Sequence, residues 1–296
     1  LSFVGRRMKR LYPPLIFAML LTLLLDTIGR SLQYPIYFQQ TPYSLINNNI
    51  LSHLEPQTAI GTLLFVGKIY VPEWGSNGPL WSLTFEWWFY MFYPLFWLLS
   101  KRSIALATIT LLICFALSFF SAPPILRIIT TTFSAMIIWW FGVLLADIFT
   151  GRLNISFSKV ALLIIFLPIA LIYKRFIPDS SPLLVFDDVI WGLGFTGGLA
   201  ACFVWQQHNK SLRLLELFKP LGDFSYTLYV THFPILVLMS GYLMSQSTLL
   251  PQEFGWVFLG IAICVSFAYG AYQLVEKPFV SSRTHSVTTA TTASPN

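Results

Sequence analysis

The chain has 296 residues, of which 56% are hydrophobic, 17% aromatic and 10% charged, with a net charge of +6 and a mean hydropathy of +0.69. A water-soluble domain carries roughly 25% charged residues, so this composition excludes a soluble enzyme and points to an all-α polytopic membrane protein. The positive balance reads as loops facing anionic lipid, with no call for nucleic acid, and Cys114, Cys202 and Cys264 lie in apolar stretches without disulfide or metal-ligand spacing.

A spanning helix needs about 20 mostly apolar residues. That template predicts eight spans, at roughly 11–28, 79–99, 104–121, 133–150, 159–176, 185–205, 223–244 and 254–276. Before the first of them, residue 1 is leucine and no signal-peptide pattern follows. Next comes "GRRMKRLYPP", with Arg6, Arg7, Lys9 and Arg10. Two readings stand side by side here. The four cations anchor the helix, or the guanidinium forks form an anion site matched to phosphate. Pro13 and Pro14 are expected to interrupt the helix early and free backbone groups.

Residues 29–56, with Gln33, Gln39, Gln40 and Asn47 to Asn49, read as a polar and aromatic outside loop. The apolar piece 57–71 is broken by Gly61, Gly67 and Pro72 and is too short to span; it re-enters or lies at the interface. Then comes "NGPLWSLTFEWWFYMFYPLFWLLSKR", in which Glu86 is the lone charge before Lys101. An intramembrane carboxylate costs on the order of 3 kcal/mol even on the lenient insertion scale. Ser82, Glu86, Tyr90 and Tyr93 share one helix face by the i, i+4, i+7 rule. Glu86 therefore either pins helix packing or faces a polar tunnel.

Later in the chain, "GDFSYTLYVTHFPI" places Ser225, Tyr229 and His232 on one face, with Tyr226 alongside. Its imidazole is an interhelical hydrogen-bond partner or a proton carrier. Residues 281–296 have no apolar periodicity and are expected to be a disordered tail behind one membrane domain, 1–280. With both ends cytoplasmic, thirteen cations fall in inside loops and five outside, a clear positive-inside bias.

Taken together, these stretches resemble the acyltransferase type 3 family of integral membrane acyltransferases. The parallels are Arg-x-x-Arg followed by Tyr-Pro (Arg7, Arg10, Tyr12, Pro13), Asn77 to Glu86, Ser225 to His232, and a closing Glu276-Lys277-Pro278, in the family's order. The resemblance implies transfer of an acyl group, most commonly acetyl with succinyl an alternative, from cytoplasmic acyl-coenzyme A. The implied acceptor is a hydroxyl of a carbohydrate or lipid-linked glycan, and the protein is expected to sit in the cell membrane. It implies that Arg7 and Arg10 hold coenzyme A phosphates, with no bound cofactor and no metal. By the same resemblance Glu86 is expected to play a supporting catalytic role, and Trp81, Ser82, Tyr90, Ser225, Tyr226, Tyr229 and His232 to line the tunnel or the acceptor site. The family also has two helices before Arg-x-x-Arg, the first with the histidine usually assigned to catalysis. Neither precedes Arg7 here, so the chain is expected to be N-terminally truncated. Rival readings are a transporter or flippase relaying protons through Glu86 and His232, and a non-catalytic membrane scaffold. Against transport, no repeat relates the two halves and no broken helices match.

Overall fold

The computed structural model describes residues 3–120, 123–177, 184–209, 213–247 and 249–280, so the tail expected at 281–296 lies outside the described residues. In chain order the α-helices are α1 Phe3–Ser31, α2 Ser44–Asn49, α3 Pro56–Leu63, α4 Trp81–Arg102, α5 Ile104–Leu117, α6 Arg127–Phe149, α7 Phe157–Ala161, α8 Phe166–Phe176, α9 Leu184–Asn209, α10 Arg213–Asp223, α11 Ser225–Gln246, α12 Phe254–Val275 and α13 Lys277–Val280. Among the described residues no strand forms, only the isolated bridges His53–Gly75 and Gly67–Val71. The protein is a polytopic all-α bundle, as expected.

Among the described residues six helical segments are long and apolar enough to cross a membrane: Phe3–Ser31, Pro124–Phe149, Phe157–Phe176, Phe186–His208, Ser225–Gln246 and Phe254–Phe279. The other two expected spans are atypical for physical reasons. The 22 residues of α4 reach far enough, but its polar stripe lowers the hydropathy. The 14 residues of α5 cover about 21 Å at 1.5 Å each, against a hydrocarbon core of about 30 Å. The expected interruption at Pro13 and Pro14 does not occur: α1 runs unbroken for 29 residues through both. Each proline removes one N–H, so the carbonyls of Lys9 and Arg10 lose their helical partners while the helix itself continues.

The chain forms two compact units, Leu1–Met91 with Phe218–Asn296, and Phe92–Leu217. In the first, α11 packs along α1 and α12. Its core is Leu11, Leu15, Ala18 and Met19 on one face of α1, closed by Phe65, Trp74, Leu80, Leu83 and Val230. The piece expected to re-enter is the short helix α3 followed by a turn, with Phe65 and Lys68 at positive φ. Two side chains satisfy carbonyls there: Tyr12 Oη donates to Leu63 O at 2.9 Å and Trp88 Nε1 to Phe65 O at 2.9 Å. Irregular backbone inside a bundle survives only with such partners. Beyond α1, the Tyr37 ring lies against Gly29, where a Cβ would come within 2.0 Å of it. Burial, with the charge of Asp26 adding to it, pushes the Tyr37 phenol well above its usual range.

The second unit packs α9 against α6, α7 and α8, and α5 against α6. Small residues allow it: a Cβ on Gly197 would stand 2.2 Å from Ile164 N, and one on Gly194 would stand 2.9 Å from Leu167 N. Close backbone approach of this kind drives helix association in lipid, where water cannot. Phe96 and Trp140 are buried, and Trp140 Nε1 donates to Thr108 Oγ1 at 3.0 Å. Arg152 donates to Asp147 Oδ1 at 2.8 Å and to Ser100 O at 3.2 Å, tying the loop after α6 to the end of α4.

Candidate active site

A column of polar contacts runs through the first unit along α1, α4 and α11. At one end Arg7, on the first turns of α1, lays its guanidinium 4.3 Å from the Tyr90 ring centroid and 5.3 Å from that of Phe3. Tyr90 Oη donates to Glu86 Oε1 at 2.6 Å, one helical turn back on α4. The stack puts cation, ring and carboxylate in series, a charge-assisted hydrogen bond at one end and a cation–π contact at the other. Arg10 acts electrostatically on both Tyr90 and Tyr226, and Glu86 also acts on Tyr226. Tyr226 Oη donates to Leu11 O at 3.0 Å, which crosses from α11 to α1.

One turn further, Tyr229 Oη donates to Pro79 O at 2.8 Å. Ser82 Oγ also reaches Pro79 O, at 3.2 Å, and the two hydroxyls lie 2.5 Å apart, where either can donate to the other. His232 follows on the same face, with its ring centroid 5.9 Å from that of Tyr229. Its Nδ1 lies 2.7 Å from Tyr229 O and 3.1 Å from Leu228 O. Carbonyls only accept, so Nδ1 carries a proton and donates to them. The thiol of Cys264 on α12 donates to His232 O at 3.7 Å.

The column continues through Asn77, which opens the family-like stretch before Glu86, and Asp26, which is not among the residues singled out from the sequence. Asn77 is fully buried, and its Nδ2 donates to Val230 O at 2.9 Å and to Thr22 Oγ1 at 3.2 Å. Asn77 Oδ1 has no hydrogen-bond partner among the described residues. Asp26, also fully buried, accepts from Ser76 N at 2.7 Å, Ser76 Oγ at 2.6 Å and Ser52 Oγ at 2.5 Å. Gly75 makes the approach possible: its φ is +59°, and a Cβ there would meet Thr22 and Asp26 at 2.4 and 2.8 Å. Asp26 and Arg7 are 19 positions apart on α1, about 28 Å of helix and close to a full hydrocarbon thickness. The available signal was Asp26 itself, the sole acidic residue in the first apolar stretch.

Other residues singled out from the sequence stand elsewhere. Ser225 is exposed and turns its hydroxyl back to Gly222 O at 3.0 Å. Trp81 is 39% exposed, edge-on to Phe85, with Lys68 Nζ 4.3 Å from its ring centroid. Trp81 also borders a cavity of about 10 Å³ with Leu15, Phe65, Glu73 and Thr84, room for about one water. Tyr93 packs edge-on against Trp139 at 5.2 Å, in the second unit. Thr227 on α11 donates from N and Oγ1 to the buried Glu276 carboxylate at 3.3 and 2.5 Å, which ties down the Glu-Lys-Pro end of α12. Among the described residues no group of three or more His, Cys, Asp or Glu comes together to hold a metal ion.

Chemically, the column offers two guanidiniums for an anion at one end, a carboxylate held by a phenol beside them, and an imidazole further along. No curated protein and no solved structure matches the chain significantly. A family model described as an acyltransferase domain does match, over residues 1–272. That match takes in Arg7, Arg10, Glu86, Tyr90, Tyr226, Tyr229 and His232, so the chain belongs to the acyltransferase type 3 family and is a multi-pass membrane acyltransferase.

Proposed function

We propose that this acyltransferase moves an acyl group, acetyl first among the candidates, from cytoplasmic acyl-coenzyme A to a hydroxyl of a carbohydrate or lipid-linked glycan in the cell membrane. The observation that carries the proposal is the series Arg7–Tyr90–Glu86. Arg7 and Arg10 face the cytoplasm and take coenzyme A phosphates through their guanidinium forks. The acceptor oxygen attacks the thioester carbonyl carbon, the new C–O bond forms, the C–S bond breaks, and coenzyme A leaves as its thiol. The hydroxyl's proton passes to a base that Glu86 positions and charges, and Tyr90 fixes the direction of that carboxylate. Tyr226, Tyr229, Ser82 and His232 line the way of the acceptor.

Two variants test this in proteoliposomes supplied with labelled acyl-coenzyme A and a glycan acceptor. Glu86→Gln keeps the side-chain shape and removes the charge; it is expected to lower label transfer at least about 100-fold, the scale of losing general acid–base assistance, while protein still accumulates in the membrane. Arg7→Ala is expected to raise KM for acyl-coenzyme A roughly tenfold or more, the scale of a hydrogen bond to a charged group. Wild-type turnover in Glu86→Gln would overturn the role of the carboxylate. Movement of a polar cargo in the absence of acyl-coenzyme A would overturn the reading as a whole in favour of transport.

A further inference from the structure

The second unit contains a groove of about 520 Å³ bordered by the start of α5 (Ile104, Thr108), the end of α6 (Leu144), the loop behind it (Leu153, Ile155) and α7 (Val160). This is within the range of ligand sites, roughly 300–1,000 Å³. All the lining side chains are apolar except Thr108 and Thr196. Both hydroxyls are already used: Thr108 donates to Ile104 O at 2.9 Å and accepts from Trp140, and Thr196 donates to Gly192 O at 2.8 Å. The groove therefore offers a sugar or nucleotide nothing, and a hydrocarbon chain everything it needs. Along α6 it extends from Phe141 to Ile148, about 10 Å of helix, most of the depth of one leaflet of about 15 Å.

Basic residues adjoin the lining positions where α5 and α7 begin and α6 ends. Arg102 precedes Ile104 by two residues, Arg152 adjoins Leu153 and Lys159 adjoins Val160, while Lys101 sits 3.7 Å over the Trp97 ring. The one carboxylate nearby in sequence, Asp147, is engaged by Arg152, so the charges of Lys101, Arg102 and Lys159 are not offset by it. Arg102 and Lys159 are exposed. An apolar slot most of one leaflet deep, with cations adjoining its lining, is complementary to a two-part ligand: hydrocarbon tail and anionic head.

We propose that this groove is a binding site for an anionic phospholipid, with one acyl chain between α5, α6, α7 and α9 and the phosphate held by Arg102 and Lys159. It is independent of the acyl-transfer reading: it uses none of the residues of the polar column, and the lipid is a resident ligand and not the acceptor.

The test is lipid retention by the full chain purified in mild detergent, followed by titration with phosphatidylglycerol or phosphatidylcholine and native mass spectrometry. Wild-type protein is expected to keep anionic lipid above its proportion in the source membrane and to prefer phosphatidylglycerol, the preference weakening as salt rises. The double variant Arg102→Ala/Lys159→Ala is expected to lose roughly tenfold in phosphatidylglycerol affinity, from about 1 kcal/mol per cation near a surface reduced by screening, and Arg102→Lys/Lys159→Arg to keep it. Leu144→Trp fills the slot and is expected to reduce binding of both lipids. Equal retention of the two lipids by wild-type protein, or unchanged phosphatidylglycerol binding in the double alanine variant, would overturn the proposal. If Leu144→Trp does not fold, the charge variants decide alone, since both substituted side chains are exposed.

Discussion

The two units solve the problem of cohering in hydrocarbon by opposite means. The first is held by polar contacts between residues far apart in sequence: Asp26 with Ser52 and Ser76, Asn77 with Val230, Tyr226 with Leu11, Thr227 with Glu276. The second is held by close backbone approach at Gly194 and Gly197 and by aromatic contacts such as Phe96 with Trp140. Apolar side chains gain little by leaving lipid for one another, so a membrane bundle must draw on hydrogen bonds or on small-residue packing. Hydrogen bonds are directional, and they hold side chains in fixed geometry. The unit that uses them is the one that holds the proposed group-transfer site.

The largest expected effect on that contrast is at Asp26. Asp26→Ala removes the acceptor of three short hydrogen bonds, two of them from Ser76, next to Asn77. Stability in detergent is expected to fall by about 3 kcal/mol, the scale of hydrogen bonds to charged groups less the cost of burying the charge. Thermal unfolding measures it, and a loss under about 1 kcal/mol would break the account of the first unit. Next is Gly197→Ala, whose new Cβ would meet the backbone of Ile164 and not a yielding side chain. Overpacking of this kind costs about 1–3 kcal/mol, and the same unfolding experiment reads it. Because Gly197 belongs to the second unit, KM for acyl-coenzyme A is expected to stay within twofold; a larger change would show the division of labour to be wrong. The smallest is Tyr90→Phe, which keeps the ring under Arg7 and removes the donor to Glu86. Turnover is expected to drop about tenfold at unchanged KM, for a charge-assisted bond of about 1.5 kcal/mol. Stability should move by under about 1 kcal/mol.

Much of the column was legible along α4 and α11, where the i, i+4, i+7 rule gathers Ser82, Glu86 and Tyr90, and Ser225, Tyr229 and His232. That rule only says which side chains share a face. It set Ser225 beside Tyr229, yet the serine bonds back to Gly222 at the helix start, because hydroxyls near helix ends find backbone partners first. It also extended the α4 stripe to Tyr93, which packs on Trp139 in the other unit. Asp26 gave a weaker signal: at the far end of an apolar run a carboxylate reads as an interfacial residue, and its partners are 26 and 50 positions away.

By itself, then, the sequence determined the class of solvent, the helical content and the places where polar groups must be sheltered. Those follow from composition and from the period of the helix, which are local. Only the tertiary structure decided that Arg7 would stack on Tyr90, that α1 would pass through Pro13 and Pro14 unbroken, that Asp26 would hold the loop before α4, and that α5, α6, α7 and α9 would leave a groove between them. These depend on which helix faces meet and at what separation, and a backbone pitch of 3.6 residues does not encode that.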